Sequence, residues 1–174
     1  NTSTSDGKDS DVNATGRTAP IILGAGENNL TVDAGLIGDP VCVRYDFSGS
    51  SSTSGAYGNS RTYELSGVSV TATAWSRVQN NTDTWAAAYL GAYGGGLGVT
   101  DTSESGSGNS HTVDNVGGRD NYVVFQFSQD VIVDNAYLGY VVCDSDISVW
   151  IGSSATPVTT VNDAFLASMT HYEE

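Results

Sequence analysis

An all-β protein is predicted from the sequence: an antiparallel β-sandwich of the jelly-roll kind, preceded by a β-hairpin that remains from a second sandwich repeat. Short segments in which apolar and polar residues alternate recur along most of the chain. Gly, Ser, Asn and Asp separate these segments at intervals of about 8–12 residues, which is typical of a sandwich or jelly roll. One short helix is predicted over residues 162–169, with Asn162 or Asp163 as its N-cap.

The N-terminal region is predicted to be a hairpin in a domain of its own. Its two strands are residues 18–23 and 30–36. A lone hairpin is only marginally stable in water, so these residues either end a larger domain or pack on the next one. Pro40 favours an extended backbone at Asp39 and marks a boundary, which divides the chain into residues 1–38 and 39–174.

The second region is predicted to supply the strands of the sandwich. In residues 68–75, every second side chain from Val68 to Ala74 falls on one face, which is therefore the buried one. The same pattern turns the Ile and Val side chains of residues 147–151 inward. The other predicted strands are residues 41–47, 61–66, 85–93, 122–127, 131–133, 136–143 and 157–161.

A glycine run over residues 94–98 raises the question of a phosphate-binding loop. Such a loop follows a strand and opens a helix that meets the phosphate charge, whereas acidic and helix-averse residues follow this run. Nucleotide binding is therefore rejected. The glycines are predicted to allow a close approach of the backbone or positive φ angles.

The charge balance excludes several classes of partner. Twenty acidic and six basic residues give a formal net charge of -14. Nucleic acids and anionic membrane surfaces would be repelled, and no apolar run is long enough to span a membrane. The carboxylates either bind cations or form a solvated surface suited to salty water. A secreted chain is expected, with its signal peptide upstream of Asn1.

Two cysteines, Cys42 and Cys143, lie far apart in the sequence. Their spacing excludes a CxxC metal or redox site, and an extracellular chain favours a disulfide between them. A bond closing a loop of about 100 residues would stabilise the fold by roughly 4–5 kcal/mol. The alternative is two buried free thiols.

Calcium is the predicted cofactor, because acidic and amide side chains gather in predicted loops and at strand ends. Calcium takes six to eight oxygen ligands from such groups. The alternative for Asp114 and Asn115 is that their side chains cap a turn. The candidate ligands are Asp9, Asp11, Asp114, Asn115, Asp120, Asp144 and Asp146.

Catalytic patterns are weak, so a protein without enzymatic activity is predicted. His111 and His171 are the only histidines, and neither a paired-His zinc motif nor a GxSxG elbow occurs. Asp144 and Asp146 lie two residues apart on one predicted strand edge. Glycosidic cleavage by such a pair would need a cleft that the sequence does not indicate.

Residues 9–37 read DSDVNATGRTAPIILGAGENNLTVDAGLI. The DSDV step, the TGRT turn, the G-E-N turn and the TVDAGL strand follow one another in an order that resembles the C-terminal end of SdrD B-type repeats. The resemblance implies a prealbumin-like β-sandwich on a bacterial surface protein. It also implies calcium in acidic loops, here at Asp9 and Asp11, although the upstream ligands of that family are absent from this sequence.

Residues 68–152 resemble a second kind of module. Ala74-Trp75, GLGVTD, HTVDN and FQFSQDV occur in the order seen in β-sandwich modules of secreted bacterial proteins with exosortase-type (PEP-CTERM) sorting tails. The resemblance implies a surface or matrix component. It implies a location rather than an activity.

The expected function is a non-catalytic structural or adhesive module of a bacterial cell-surface protein or filament, stabilised by calcium. Its expected partners are other copies or domains of the same surface protein. The alternative is a carbohydrate-binding module, because aromatic rings on a sandwich stack on sugars; a hydrolase is a third, weaker reading. Trp75 is expected in the core, and the candidate sugar-binding residues are Tyr57, Trp85, Tyr89 and Tyr93.

Overall fold

The computed structural model describes residues 17–26, 42–49, 58–105, 110–142 and 146–173. The chain divides into two compact units, Asn1–Cys42 and Val43–Glu174. The boundary predicted between residues 38 and 39 falls close to this division. In the described part of the first unit, residues 17–26 are exposed and contain a turn but no strand, whereas a strand was predicted over 18–23. The predicted strand 30–36 lies outside the described residues.

Antiparallel strands dominate the second unit, which confirms the all-β class. The jelly-roll sandwich itself stays a prediction. The strands are β1 (Ser60–Leu65), β2 (Val68–Val78), β3 (Trp85–Ala87), β4 (Tyr89–Tyr93), β5 (Gly96–Thr100), β6 (Arg119–Phe127), β7 (Ser148–Ile151) and β8 (Thr170–Glu173). The helices are α1 (Asp163–Ala167) and a single 3₁₀ turn, Val116–Gly118.

Strand β2 is the centre of the main sheet. One of its edges pairs with β6 from Val70 to Val78. The other edge pairs first with β1 and then with β3, which lie end to end. All these pairings are antiparallel, so β2 has a hydrogen-bonded partner on each side along most of its length.

The inner face of β2 carries the core. Val70, Ala72 and Ala74 are completely buried, as the alternation of residues 68–75 predicted. The small alanines leave room for the β4–β5 hairpin, which places Leu90 and Val99 against them. Burying side chains of this size stabilises the fold by about 1.5–3 kcal/mol each.

The single strand predicted over residues 85–93 divides at Ala88. The amide of Ala88 still donates to the Ala74 carbonyl at 3.0 Å, next to the main sheet. The amide of Leu90 donates instead to the Gly58 carbonyl at 2.9 Å, and β4 then pairs with β5. The chain therefore passes from the main sheet into the covering hairpin at this alanine.

Glycines of the predicted run, together with Gly91, shape this hairpin. Gly96 has a φ of 123°, which a side chain rarely adopts. Gly91 and Gly98 face each other across the two strands, and an added Cβ would overlap the Tyr93 ring at the first and the His111 carbonyl oxygen at the second. The predicted roles, positive φ and close backbone approach, are both confirmed.

An aromatic cluster closes the other end of the inner face. Phe47 packs on Tyr63 and Phe125 with ring centroids 4.9 and 5.3 Å apart, and the Tyr45 hydroxyl donates to the Val68 carbonyl at 2.6 Å. Residues 41–47 were predicted as a strand. In the described part of that segment the side chains alternate between half-buried and exposed, as predicted, but no strand pairing forms.

Residues 148–173 lie against the outer face of the main sheet. The side chain of Gln126 on β6 donates to the Thr156 carbonyl and accepts from the Val158 amide. Helix α1 begins after Asn162, whose side chain accepts from the Phe165 amide at 2.8 Å, so the predicted N-cap is confirmed. Strand β8 was not predicted, and residues 157–161 form no strand.

Three other strand predictions were wrong in whole or in part. Ile147, Val149 and Ile151 were expected to point inward but are exposed, because Trp150 is the side chain of β7 that faces the sheet. Residues 131–133 and the described part of 136–143 form no strand beyond an isolated bridge at Val142. Their side chains are mostly apolar, as in many strands, but no described neighbour pairs with them as a strand.

The glycine at position 98 provides a direct test of the hairpin packing. We expect Gly98→Ala to lower the free energy of unfolding by about 1–3 kcal/mol, because the new Cβ would force the His111 backbone away. Urea denaturation measures this change. Gly94→Ala is the matched control: no atom lies within 4 Å of an added Cβ there, so its stability should stay unchanged or rise slightly. Equal losses in both variants would contradict the account.

Candidate ligand-binding surface

Four side chains form a continuous row of rings on the outer side of the main sheet. Trp85 and Tyr122 have ring centroids 4.7 Å apart, and Tyr122 and Trp150 follow at 5.9 Å. Trp150 and His171 are stacked at 4.4 Å with only 7° between their planes. The first three rings are half-buried and His171 is exposed, so each ring packs on a neighbour and keeps part of its surface in solvent. We call these four residues the aromatic row.

The strand register explains why these rings meet. Tyr122 lies opposite Trp75, and Trp85 lies opposite Arg77, so both rings are on the outer face of the sheet. Trp150 and His171 are a cross-strand pair of the β7–β8 hairpin. The hairpin brings its pair to Tyr122, and the row thus joins three strand pairings that are far apart in the sequence.

Charged groups flank the tryptophan end of the row. The Arg77 guanidinium lies 5.6 Å from the centroid of Trp85, within the range of a cation–π contact. It pairs with Asp163 at 3.3 Å and more loosely with Asp120 at 3.8 Å. Since all three charged side chains are partly exposed, the pairing positions them more than it stabilises the fold.

Asp163 connects helix α1 to the turn before β3. Its Oδ1 accepts from the Trp85 indole at 2.6 Å, and its Oδ2 accepts from the Asp83 amide at 3.0 Å. The Asp163 amide donates in return to Asp83 Oδ1 at 3.2 Å. The hydrogen bond from the Trp85 indole is the largest cause of a lowered pKa at Asp163, and the bond from the Asp83 amide is the next. Because this pKa lies below the ordinary value of 3.8, the group is ionised near neutral pH.

The hydroxyl of Tyr122 stays protonated over an extended pH range. Burial raises the pKa of this phenol, and the Arg77 charge only partly opposes the shift. A protonated phenol both donates and accepts hydrogen bonds. The row therefore combines apolar ring surface with neutral and charged polar groups at its edge.

A buried polar group lies on the inner side of the same strands. Asp101, only 6% exposed, accepts from the Ser103 hydroxyl at 2.6 Å and from the Asn121 side-chain Nδ2 at 2.8 Å. The Arg119 guanidinium lies 3.9 Å from Asp101 and donates to the Ser76 and Thr84 carbonyls. These bonds fix β6 beside β2 and so set the position of Tyr122 on the opposite face.

Of the three predicted sugar-binding residues that the structure describes, one belongs to the row. Trp85 is part of it, whereas Tyr89 and Tyr93 lie on the outer face of the β4–β5 hairpin, where Tyr93 packs on His111 at 4.2 Å. Tyr57 lies outside the described residues. Trp75 is buried, as expected, and its indole donates to Thr73 at 3.0 Å.

Sequence reasoning missed Tyr122, Trp150 and His171. The alternation of residues 147–151 assigned its Ile and Val residues to the core and so turned Trp150 outward. The useful signal was the pair of large aromatics, Tyr122 and Trp150, at positions left outside the predicted core set. The partner strand β8 carries no such signal.

The predicted metal ligands do not form one site within the described residues. Asp114 accepts from the Thr112 hydroxyl at 2.6 Å and from the Val116 amide at 3.0 Å, which is the turn-capping alternative. The Asn115 carbonyl accepts from Gln79, and Asp120 lies beside Arg77. Asp146 is exposed, and Asp9, Asp11 and Asp144 lie outside the described residues.

No group of three or more His, Cys, Asp or Glu side chains in the described ranges is arranged to hold a metal ion. Calcium therefore stays a prediction. Cys42 is exposed and forms no disulfide with a described residue, and its predicted partner Cys143 lies outside the described residues, so the disulfide stays a prediction.

A second exposed surface is apolar. The segment 131–142, which we call the exposed apolar segment, presents large hydrophobic side chains along most of its length. Ile132 is 96% exposed and Tyr137 75%. The Arg44 guanidinium lies 5.2 Å from the Tyr137 ring. Contiguous apolar exposure of this kind is typical of an interaction surface.

No protein-family model matches the chain, and neither curated proteins nor solved structures give a match. The resemblances to SdrD B-type repeats and to PEP-CTERM-associated modules therefore stay predictions. In the part of the chain that the structure describes, no helix has the length and apolar character needed to cross a membrane.

The pH dependence of stability tests the role of Asp163. Because the pKa of this group is lowered in the folded state, its stabilising effect is complete above pH 3.8 and is lost as the pH falls toward the folded value. We expect the free energy of unfolding of Asp163→Asn to fall less steeply with decreasing pH than that of the wild type. Urea denaturation at a series of acidic pH values measures the slopes.

A second variant, Trp85→Phe, tests the same interaction from its other side, because it keeps a ring but removes the indole donor. Since the indole is the main cause of the lowered pKa, this variant should also show a shallower slope in acid. Wild-type slopes in both variants would contradict the assignment.

Proposed function

We propose that the chain is a non-catalytic, extracellular adhesive module of a bacterial surface protein or filament, and that it adheres by binding carbohydrate along the aromatic row. The observation that supports this proposal most strongly is the row itself. Sugars present apolar faces and hydroxyl edges. A line of partly exposed rings with polar groups at its border matches both.

The polar border suits sugar hydroxyls. Asp120 and Asp163 offer carboxylate oxygens as acceptors, and the Tyr122 hydroxyl both donates and accepts. The two carboxylates are held by Arg77, and Asp163 also by the Trp85 indole and the Asp83 amide, so they need little reordering on binding. Binding sites of this kind combine mostly apolar and aromatic surface with a few well-placed polar groups.

A second candidate function is assembly between copies of the chain through the exposed apolar segment. The high exposure of Ile132 and Tyr137 favours it, because a contiguous exposed apolar segment is typical of an interface between chains. Light scattering without any glycan tests this candidate. A mass that rises with protein concentration is expected, and a strict monomer at every concentration would contradict it.

Extracellular location and calcium stabilisation remain part of the proposal. The acidic composition and the two family resemblances support a secreted protein. A calcium effect is expected as a rise in melting temperature on adding the ion. That rise would point to the acidic residues outside the described ranges, Asp9, Asp11 and Asp144, as the first ligands to test.

The aromatic row makes a specific prediction for sugar binding. We expect Trp150→Ala to weaken binding of hexasaccharides about tenfold or more, because a central contact residue of an interface contributes more than about 1.4 kcal/mol. Isothermal titration against a panel of neutral, acidic and amine-bearing hexasaccharides measures the affinities. Light scattering on the same samples separates binding from aggregation.

The matched control is Tyr137→Ala, which removes a more exposed aromatic ring that lies outside the row. This variant should bind like the wild type. If both variants bind like the wild type, or if no hexasaccharide binds the unaltered chain, the proposed function is wrong.

A further inference from the structure

We propose that the glycan bound by the aromatic row carries protonated amines, rather than carboxylates or sulfates, and that Glu173 contacts one of these amines. This inference rests on the proposed function and specifies the chemical class of the ligand. It follows from the charged side chains that lie along the row and from the partners that they already have.

Among the described residues of the second unit, no arginine beside the row is available for an anionic sugar. Arg77 is the arginine of this set whose guanidinium contacts a ring of the row, and it already pairs with Asp120 and Asp163. The other described arginines of the second unit are engaged elsewhere: Arg44 over Tyr137, Arg61 with the Leu90 carbonyl, and Arg119 with Ser76 and Thr84. A carboxylate or sulfate at the tryptophan end of the row would therefore face Asp120 and Asp163 without an arginine free to balance its charge.

Glu173 continues the row beyond His171. In the β7–β8 register Trp150 lies opposite His171, and Ser148 lies opposite Glu173, so His171 and Glu173 share the face that carries the row. The Glu173 side chain is 74% exposed. Its Oε1 lies 3.8 Å from His171 Nε2, which leaves Oε2 able to accept another donor.

The long-range field acts in the same direction. The chain carries a net charge of -14, so a polycationic glycan is attracted before contact and a polyanionic one is repelled. At physiological salt the screening length is about 8 Å, and the attraction should therefore weaken as salt is added. Binding of an uncharged glycan should be nearly independent of salt.

The experiment compares three hexasaccharides in a mildly acidic buffer: glucosamine, N-acetylglucosamine and galacturonate. The first carries a protonated amine on each sugar, the second carries a neutral acetylated amine, and the third has no amine and carries a carboxylate at C6 of each sugar. We expect the glucosamine hexamer to bind most tightly and the galacturonate hexamer most weakly. Glu173→Gln should weaken glucosamine binding roughly twofold to fivefold and leave N-acetylglucosamine binding unchanged, as for an exposed charge pair. Asp130→Asn, which removes a charge beyond the other end of β6, is the control and should change neither.

The outcomes separate this inference from the function on which it rests. If N-acetylglucosamine binds as tightly as glucosamine, or if galacturonate binds best, the amine preference is wrong while sugar binding stands. If Glu173→Gln binds glucosamine like the wild type, the contact at Glu173 is wrong. If none of the three binds at any salt concentration, this inference fails together with the proposed function for these sugars, and the remaining hexasaccharides of the panel decide the latter.

Discussion

The pairing of β2 on both edges is the constraint on which the rest of the second unit depends. Because both edges of β2 are hydrogen-bonded, only its two faces are left to cover: the apolar inner face must be buried, whereas the more polar outer face of an antiparallel sheet can stay partly in solvent. The alanines at positions 72 and 74 admit the β4–β5 hairpin on the inner face. The outer face is covered in part by the β7–β8 hairpin and helix α1. The aromatic row lies at that second, incomplete cover.

Because this cover is incomplete, the rings of the row pack against other residues and also remain partly exposed. Trp85 and Tyr122 are anchored on the sheet, whereas Trp150 and His171 arrive from a separate hairpin. Asp163, in helix α1, connects the C-terminal residues to the sheet by accepting hydrogen bonds from the Trp85 indole and the Asp83 amide. The rings thus stabilise the packing of the C-terminal residues and still present surface to solvent. A ligand lying along them would contact both parts and should stabilise their association by linkage.

Sequence periodicity predicted the main sheet well and the candidate site poorly. Residues 68–75 have a buried face of small and branched side chains, and local alternation is enough to identify it. Residues 131–133 are apolar and β-branched throughout but form no strand, because pairing depends on a neighbour that the local pattern does not contain. Trp150 was assigned to the wrong face for the same reason: its position depends on Tyr122, which lies 28 residues earlier in the chain. The N-cap at Asn162 was predictable because it is a local interaction.

The most direct test of the account uses the three tryptophan indole N–H signals in an NMR titration with hexasaccharides. The chain contains only Trp75, Trp85 and Trp150, so each signal reports one position. Trp75 is buried, whereas Trp85 and Trp150 belong to the row. Saturable shifts of the Trp85 and Trp150 signals, with a smaller change at Trp75, are the predicted result. Binding that leaves both row signals in place would contradict the claim that this surface is the ligand site.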